Sequence, residues 1–154
     1  MTRITVALAL LVAFASTQPA LAQSQCKPVV GHFEAHVVPP ADCPAPFCTA
    51  GRVWGGIQGD YSFVMTSLVP SGAVPSISFF TGQSDISLKS GDALRGTDTG
   101  TLDLGPDGGF ASLITFSGGT GAMSGASGQI RLRGFLDQAA GTTSGDYLGT
   151  LCTP

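Results

Sequence analysis

Hydrophobic and polar residues alternate in short runs along most of the chain. Such alternation places every second side chain on the same face and predicts β-strands with one buried face. Gly, Pro, Asp and Ser residues separate the runs, as expected for turns between strands. The predicted strands cover residues 29–38, 52–58, 61–69, 76–80, 85–89, 93–104, 110–116, 129–137 and 144–152.

Eight or nine short strands at this spacing are typical of a β-sandwich or a β-barrel. The connections are too short to hold crossover helices, so the sheet is expected to be mostly antiparallel. Glycines within the strands, such as Gly31 and Gly134, favour sharp bends in a sheet that curls on itself. The alternation therefore predicts an all-β fold and leaves barrel and sandwich open.

The first 22 residues have the features of a secretory signal peptide. Arg3 precedes an apolar run at residues 6–15, and the segment ends in the sequence ALA at residues 20–22. The run is shorter than the roughly 20 residues that a membrane-spanning helix needs. We therefore expect a secreted or periplasmic protein without a membrane span, in which residues 1–22 are removed and residues 23–154 form one domain.

Charge and motifs exclude several classes of function. All 10 acidic residues and all but one of the 7 basic residues follow the signal peptide, so the mature chain is weakly acidic. It lacks the Lys/Arg clusters that neutralise phosphates, and no nucleic-acid partner is expected. Hydrolase, phosphate-loop and dinucleotide-binding motifs are also missing from the sequence. No cofactor is expected.

Four cysteines follow the signal peptide, and an even number in an exported protein predicts two disulfides. The favoured pairing joins Cys26 to Cys152, which ties the chain ends together. The second disulfide then joins Cys43 to Cys48 and closes a short loop near the N-terminus. The alternative, a zinc site, lacks the usual paired ligand spacing.

The first strand carries an unusual polar row. His32, Glu34 and His36 alternate with apolar residues and therefore share one face of the strand. They include both histidines and the only glutamate of the chain. The row either faces solvent opposite a buried face, or binds a metal, or supplies acid and base groups. No metal site is assigned here.

A glycine-rich segment then resolves the choice between barrel and sandwich. The sequence GGTGAMSGASG at residues 118–128 resembles a segment of the allene oxide cyclase and dirigent barrel superfamily, with Met123 at a position where that family usually has Phe. The resemblance extends to GDALRGTDTG at residues 91–100 and to SGDYLG at residues 144–149. The small residues of the segment also allow the chain to fold back over a barrel end, with Met123 as a plug.

The resemblance implies a closed, antiparallel, eight-stranded up-and-down β-barrel with an apolar central cavity. It also implies a homotrimer and cofactor-free control of a cyclisation, in which a confined cavity shapes the substrate. A small hydrophobic molecule is the expected partner. The resemblance does not cover the N-terminal part of the domain, where the cysteine loop lies.

Several residues are candidates for a site inside the barrel. As catalytic residues we consider Glu34, Tyr61 and Arg95, which could stabilise charge or move a proton. Asp92 and Asp98 flank Arg95 at three-residue spacing and could also face the cavity. The candidate ligand-binding residues are the aromatic and polar side chains His32, His36, Trp54, Asp85 and Tyr147.

Three functions remain open at this point. The first is an exported barrel that encloses a small hydrophobic ligand. The second is a cofactor-free cyclase or isomerase that acts on a hydrophobic substrate. The third is a structural or surface-interaction barrel whose interior is filled by its own side chains.

Overall fold

A computed structural model describes residues 24–106 and 108–154. The predicted signal peptide, residues 1–22, lies outside the described residues. The described chain consists of eight strands and one short 3₁₀ turn at Gly121–Met123. The strands are β1 (Gln25–Val37), β2 (Cys48–Gly55), β3 (Gly59–Pro70), β4 (Ile77–Leu88), β5 (Ala93–Asp103), β6 (Gly109–Gly119), β7 (Ser127–Asp137) and β8 (Thr142–Thr153).

The strands form a closed barrel. Each pairs antiparallel with its neighbours in the chain, and β8 pairs with β1 to close the sheet. The predicted all-β, antiparallel, eight-stranded barrel is confirmed. Closure leaves no unpaired edge among the eight described strands, and such an edge would be a site of aggregation in a chain with so few charges.

One prediction of strand boundaries was wrong. Residues 76–80 and 85–89 belong to a single strand, β4, because Gly82 continues the sheet instead of forming a turn. A Cβ atom at Gly82 would collide with the ring of Phe63, which crosses the inner face of the sheet at this point. The glycine therefore makes room for an aromatic side chain.

The two ends of the barrel differ. At the end where β5 begins, the interior is filled by buried side chains that include Ile57, Ile86, Leu94 and Tyr147. Met123, in the 3₁₀ turn, is half-buried and packs against this core, as the glycine-rich segment predicted. We call this the closed end. The opposite end, where β1 leads into the cysteine loop, is the open end.

Both favoured disulfides are present. Cys26 and Cys152 lie directly opposite each other on β1 and β8, with their Cα atoms 3.9 Å apart. Cys43 and Cys48 close the loop between β1 and β2, with a Cα–Cα distance of 5.7 Å. The first disulfide joins the two strands that close the barrel, and the second constrains the loop at the open end.

Within residues 24–106 and 108–154, no helix combines the length and the hydropathy needed to cross a bilayer.

Candidate functional site

The barrel interior contains a small cavity between its middle and its open end. Its volume is about 50 Å³, enough for a few water molecules at roughly 10–15 Å³ each. Most of its wall is aromatic or aliphatic, with a few buried polar side chains. The lining residues are Phe33, Phe47, Thr49, Tyr61, Phe63, Met65, Phe80, Asp98, Leu102, Phe110, Ser112, Leu132, Leu136 and Thr143.

Asp98 is the central polar residue of this cavity. It lies on the inner face of β5 and is only 3% exposed, the one buried carboxyl group among the described residues. The hydroxyl of Ser84 donates a hydrogen bond of 3.2 Å to its Oδ2 atom. Its Oδ1 atom is buried and has no hydrogen-bond partner in the described part of the chain. A buried polar atom without a partner is costly and marks a candidate functional site.

The register of the sheet explains how this polar cluster forms. Asp98 is directly opposite Gly82 on β4 and Ile114 on β6. Ser84, two residues after Gly82, and Ser112, two residues before Ile114, therefore lie diagonally across from Asp98 on the same inner face. The two serines are themselves buried. The cluster thus uses side chains from three consecutive strands.

Tyr61 extends the cluster from β3. Its hydroxyl lies 3.4 Å from the hydroxyl of Ser84, and either group can be the donor. The Tyr61 ring packs beside Phe33, with ring centroids 6.2 Å apart. Tyr61, Ser84 and Asp98 thus form a polar chain within an apolar wall.

Burial controls the electrostatics of the cluster. It raises the pKa of the Asp98 carboxyl, although the nearby hydroxyls of Ser112 and Ser84 and the backbone of Thr99 offset part of this effect. It also raises the pKa of Tyr61, which the nearby Asp98 raises further and the hydrogen bond with Ser84 lowers. Tyr61 is therefore a neutral hydroxyl, and the neutral form of Asp98 is favoured relative to a carboxyl in water.

A second, larger space lies directly outside the cavity at the open end. We call it the outer pocket; its volume is about 320 Å³. Leu68 and Leu104 form part of its wall and are each 43% exposed. The remaining lining residues are Val37, Phe47, Met65, Leu102, Leu136, Gln138 and Gly141.

Four apolar side chains separate the outer pocket from the cavity. They line both spaces, and we call them the gate: Phe47, Met65, Leu102 and Leu136. Met65 is flexible and unbranched, and a β-bulge between Met65 and Ser67 interrupts the pairing of β3 with β4 beside it. Bulges are common at barrel rims and next to active sites. Phe47 comes from the loop that the Cys43–Cys48 disulfide closes.

The structure separates the three predicted catalytic residues. Tyr61 lies in the cavity, as proposed. Glu34 is exposed on the outer face of β1, and Arg95 is exposed on the outer face of β5, so neither carboxylate nor guanidinium reaches the cavity. Arg95 instead pairs with Asp85 across the outer surface, at 3.2 Å between Nε and Oδ1. Asp85 therefore also lies outside the barrel.

Three predicted ligand-binding residues belong to the outer surface of β1 and β2. His32 and His36 are exposed, and the ring of His32 stacks on Trp54 with centroids 5.0 Å apart. Trp54 therefore covers the outer wall. Among the described residues, no three His, Cys, Asp or Glu side chains are close enough to hold a metal ion.

Tyr147 is buried at the closed end and has a structural role there. Its hydroxyl accepts a hydrogen bond of 2.8 Å from the backbone amide of Ile57. It can donate to the carbonyl oxygen of Trp54 at 3.0 Å or to that of Ile57 at 3.2 Å. These contacts bind the end of β2 to β8, away from the cavity.

The sequence named Asp98 only as a neighbour of Arg95 that could face the cavity, but the pattern of β5 carries a more specific signal. It shares the inward face of β5 with Leu94 and Leu102, whereas Arg95 and Thr97 occupy the outward face. A carboxylate on the apolar side of an alternating strand faces the barrel interior.

Comparisons with protein families, with curated proteins and with solved structures returned no match. The resemblance to the allene oxide cyclase and dirigent superfamily, and the homotrimer that it implies, therefore stay predictions from the sequence.

Proposed function

We propose that the protein is an exported barrel that binds a small, mostly apolar molecule through its open end. The signal-like N-terminus and the two disulfides support export into an oxidising compartment. The observation that carries the binding proposal is the arrangement of two apolar spaces in series, separated only by the four gate side chains.

Binding requires the gate to open. A cavity of about 50 Å³ is far below the roughly 300–1,000 Å³ of ordinary ligand pockets. The outer pocket, at about 320 Å³, already falls within that range. Rotation of Met65 and Phe47 would join the two spaces, and a ligand would then extend from the rim to Asp98.

The exposed rim supports access from the same end. Leu68 and Leu104 expose apolar surface beside the gate. The closed end, by contrast, is blocked by fully buried residues such as Ile86 and Leu94. A ligand that enters the barrel therefore passes between Phe47 and Met65.

Calorimetric titration of the mature, disulfide-bonded protein with 1-decanol tests this proposal. We expect saturable binding of one molecule by the wild type and loss of that binding in Met65→Trp, in which the larger ring fills the gate. Ser62→Trp is the matched control, because Ser62 is exposed on the outer face of the same strand. Equal binding by all three proteins, or none by the wild type, would contradict the proposal.

A second candidate function is a cofactor-free isomerase or cyclase that uses the same cavity. The observation that favours it is the chain of Tyr61, Ser84 and Asp98 inside an apolar wall. In this case Asp98 would remove a proton from one substrate atom and return it to another, so that the carboxyl group ends unchanged. Tyr61 would donate a hydrogen bond to the developing negative charge.

The two functions make different predictions for Asp98→Asn. The amide keeps the shape of the side chain but cannot shuttle a proton. An isomerase would lose turnover while it retained affinity for the substrate, whereas a binding protein would show no turnover in either form. Asp146→Asn, on the exposed outer face of β8, is the matched control.

A further inference from the structure

We infer that the molecule bound in the barrel carries one polar head group, which places a hydrogen-bond donor on Oδ1 of Asp98, and that its apolar body extends through the gate into the outer pocket. This inference rests on the proposed binding function and defines the chemical class of its ligand. The class is a linear or slender amphiphile with a terminal hydroxyl or amino group.

The free oxygen of Asp98 identifies the head group. Oδ2 already accepts a hydrogen bond from Ser84, whereas the buried Oδ1 has no partner in the described part of the chain. Oδ1 accepts a hydrogen bond when the group is ionised and when its proton is on Oδ2. A ligand hydroxyl or N–H therefore satisfies an atom that the apolar wall leaves unpaired, and an ether or a hydrocarbon leaves it unpaired.

The position of Asp98 along β5 defines the shape of the ligand behind its head group. Leu102, a gate residue, lies four residues closer to the open end on the same inner face. At roughly 3.3 Å per residue, the backbone of Asp98 is about 13 Å from that of Leu102 along the strand. Apart from Asp98 itself, the cavity wall is aromatic or aliphatic except for Thr49, Ser112, Thr143 and the hydroxyl of Tyr61. The geometry therefore fits an extended apolar chain behind one polar head group.

The inner wall is narrow at the level of Asp98. The rings of Phe63 and Phe80 meet edge to face at 5.7 Å between centroids. Gly82 and Gly100, which flank Asp98 on the inner surface, have no room for a Cβ atom because Phe63, Phe80 and Ser112 fill the adjoining space. A branched or polycyclic head group does not fit here, whereas a hydroxymethyl or aminomethyl group does.

A pair of matched probes tests the inference on the wild-type protein. 1-Decanol and 1-methoxynonane have the same number of non-hydrogen atoms, but only the alcohol is a donor. Calorimetric titration should show about tenfold or tighter binding of 1-decanol, as expected when a buried acceptor would otherwise remain unpaired. Decylamine should share this advantage over the ether.

Substitution of Asp98 provides a second test of the inference. In Asp98→Ala the preference for the alcohol should fall to about onefold, while 1-methoxynonane still binds because the apolar wall is intact. The exposed Asp146→Ala should keep the tenfold preference. If Asp98→Ala does not fold, the comparison of the alcohol with the ether on the wild type decides the question alone.

The outcomes separate this inference from the proposed function. Equal affinities of the wild type for alcohol and ether, with both blocked by Met65→Trp, would overturn the inference and leave interior binding intact. Absence of binding for both probes would overturn the two together. A preference for the alcohol that persists in Asp98→Ala would place its recognition elsewhere and overturn the inference.

Discussion

The backbone amide of Met65 donates a hydrogen bond of 3.0 Å to the carbonyl oxygen of Phe47. This bond joins the backbones of two gate residues, one from β3 and one from the loop closed by the Cys43–Cys48 disulfide. The cysteine loop and the gate residue Met65 are therefore directly connected. A change in the loop should change access to the interior without disturbing the closed end.

Truncation of Phe47 tests this link. Phe47→Ala removes one wall of the gate, and 1-decanol should associate and dissociate faster, by several-fold, in stopped-flow measurements. Phe79→Ala is the control, because Phe79 is exposed on the outer face of β4. Unchanged rates in Phe47→Ala would show that ligand access does not depend on this side chain.

The two disulfides should contribute unequally to stability. Their cysteines are 126 and 5 residues apart, and the loss of loop-closure entropy in the unfolded chain grows with loop length. Replacement of Cys26 and Cys152 by Ala should lower the free energy of unfolding by about 5 kcal/mol, and replacement of Cys43 and Cys48 by about 2 kcal/mol. Denaturant unfolding measures both, and the reverse order would contradict this account.

The two tyrosines should also differ. Tyr147→Phe removes a hydroxyl that is bonded to the backbone at the closed end and leaves the amide of Ile57 without that partner. We expect a loss of about 1–3 kcal/mol in the free energy of unfolding. Tyr61→Phe, whose hydroxyl has only a 3.4 Å contact with Ser84, should lose about 1 kcal/mol or less. Equal losses would contradict the structural role of Tyr147.

Ionisation of Asp98 should make stability depend on pH. Burial raises its pKa in the folded protein above the ordinary value of 3.8, so the folded state binds the proton more tightly than the unfolded state. Stability from this group is therefore present at pH values below about 4 and is lost as pH rises through the folded pKa. Thermal unfolding of the wild type and of Asp98→Asn, at a series of pH values that starts below about 4, measures this change in stability.

The expected sign is specific. The wild type should lose stability relative to Asp98→Asn as pH rises, while Asp146→Asn should follow the wild type at every pH. A wild type that gains stability over Asp98→Asn with rising pH would show that the folded protein favours the ionised carboxylate.

Alternation predicted most of the fold because a strand with one buried face repeats every two residues. It also placed His32, Glu34 and His36 on one face opposite an apolar set, and the structure puts that polar row outside. The further hypothesis that Glu34 acts in a cavity conflicted with this alternation, since the apolar face is the inner one.

The polar cluster was harder to predict because it depends on the register between strands. Ser84 and Asp98 approach each other only because Asp98 is opposite Gly82. One residue of slip would move Ser84 to the outer face. The break assigned at residues 81–83 also hid the strand that carries Ser84. Local pattern identifies an inward carboxylate, whereas its partners require the folded sheet.

The most direct test of the account uses the two methionines of residues 23–154. Met65 is in the gate, and Met123 packs at the closed end. In protein labelled with ¹³C at the methionine methyl groups, titration with 1-decanol should shift the Met65 resonance until the shift saturates. The Met123 resonance should not shift. A shift of Met123 alone, or no shift of either resonance at saturating alcohol, would contradict ligand binding through the open end.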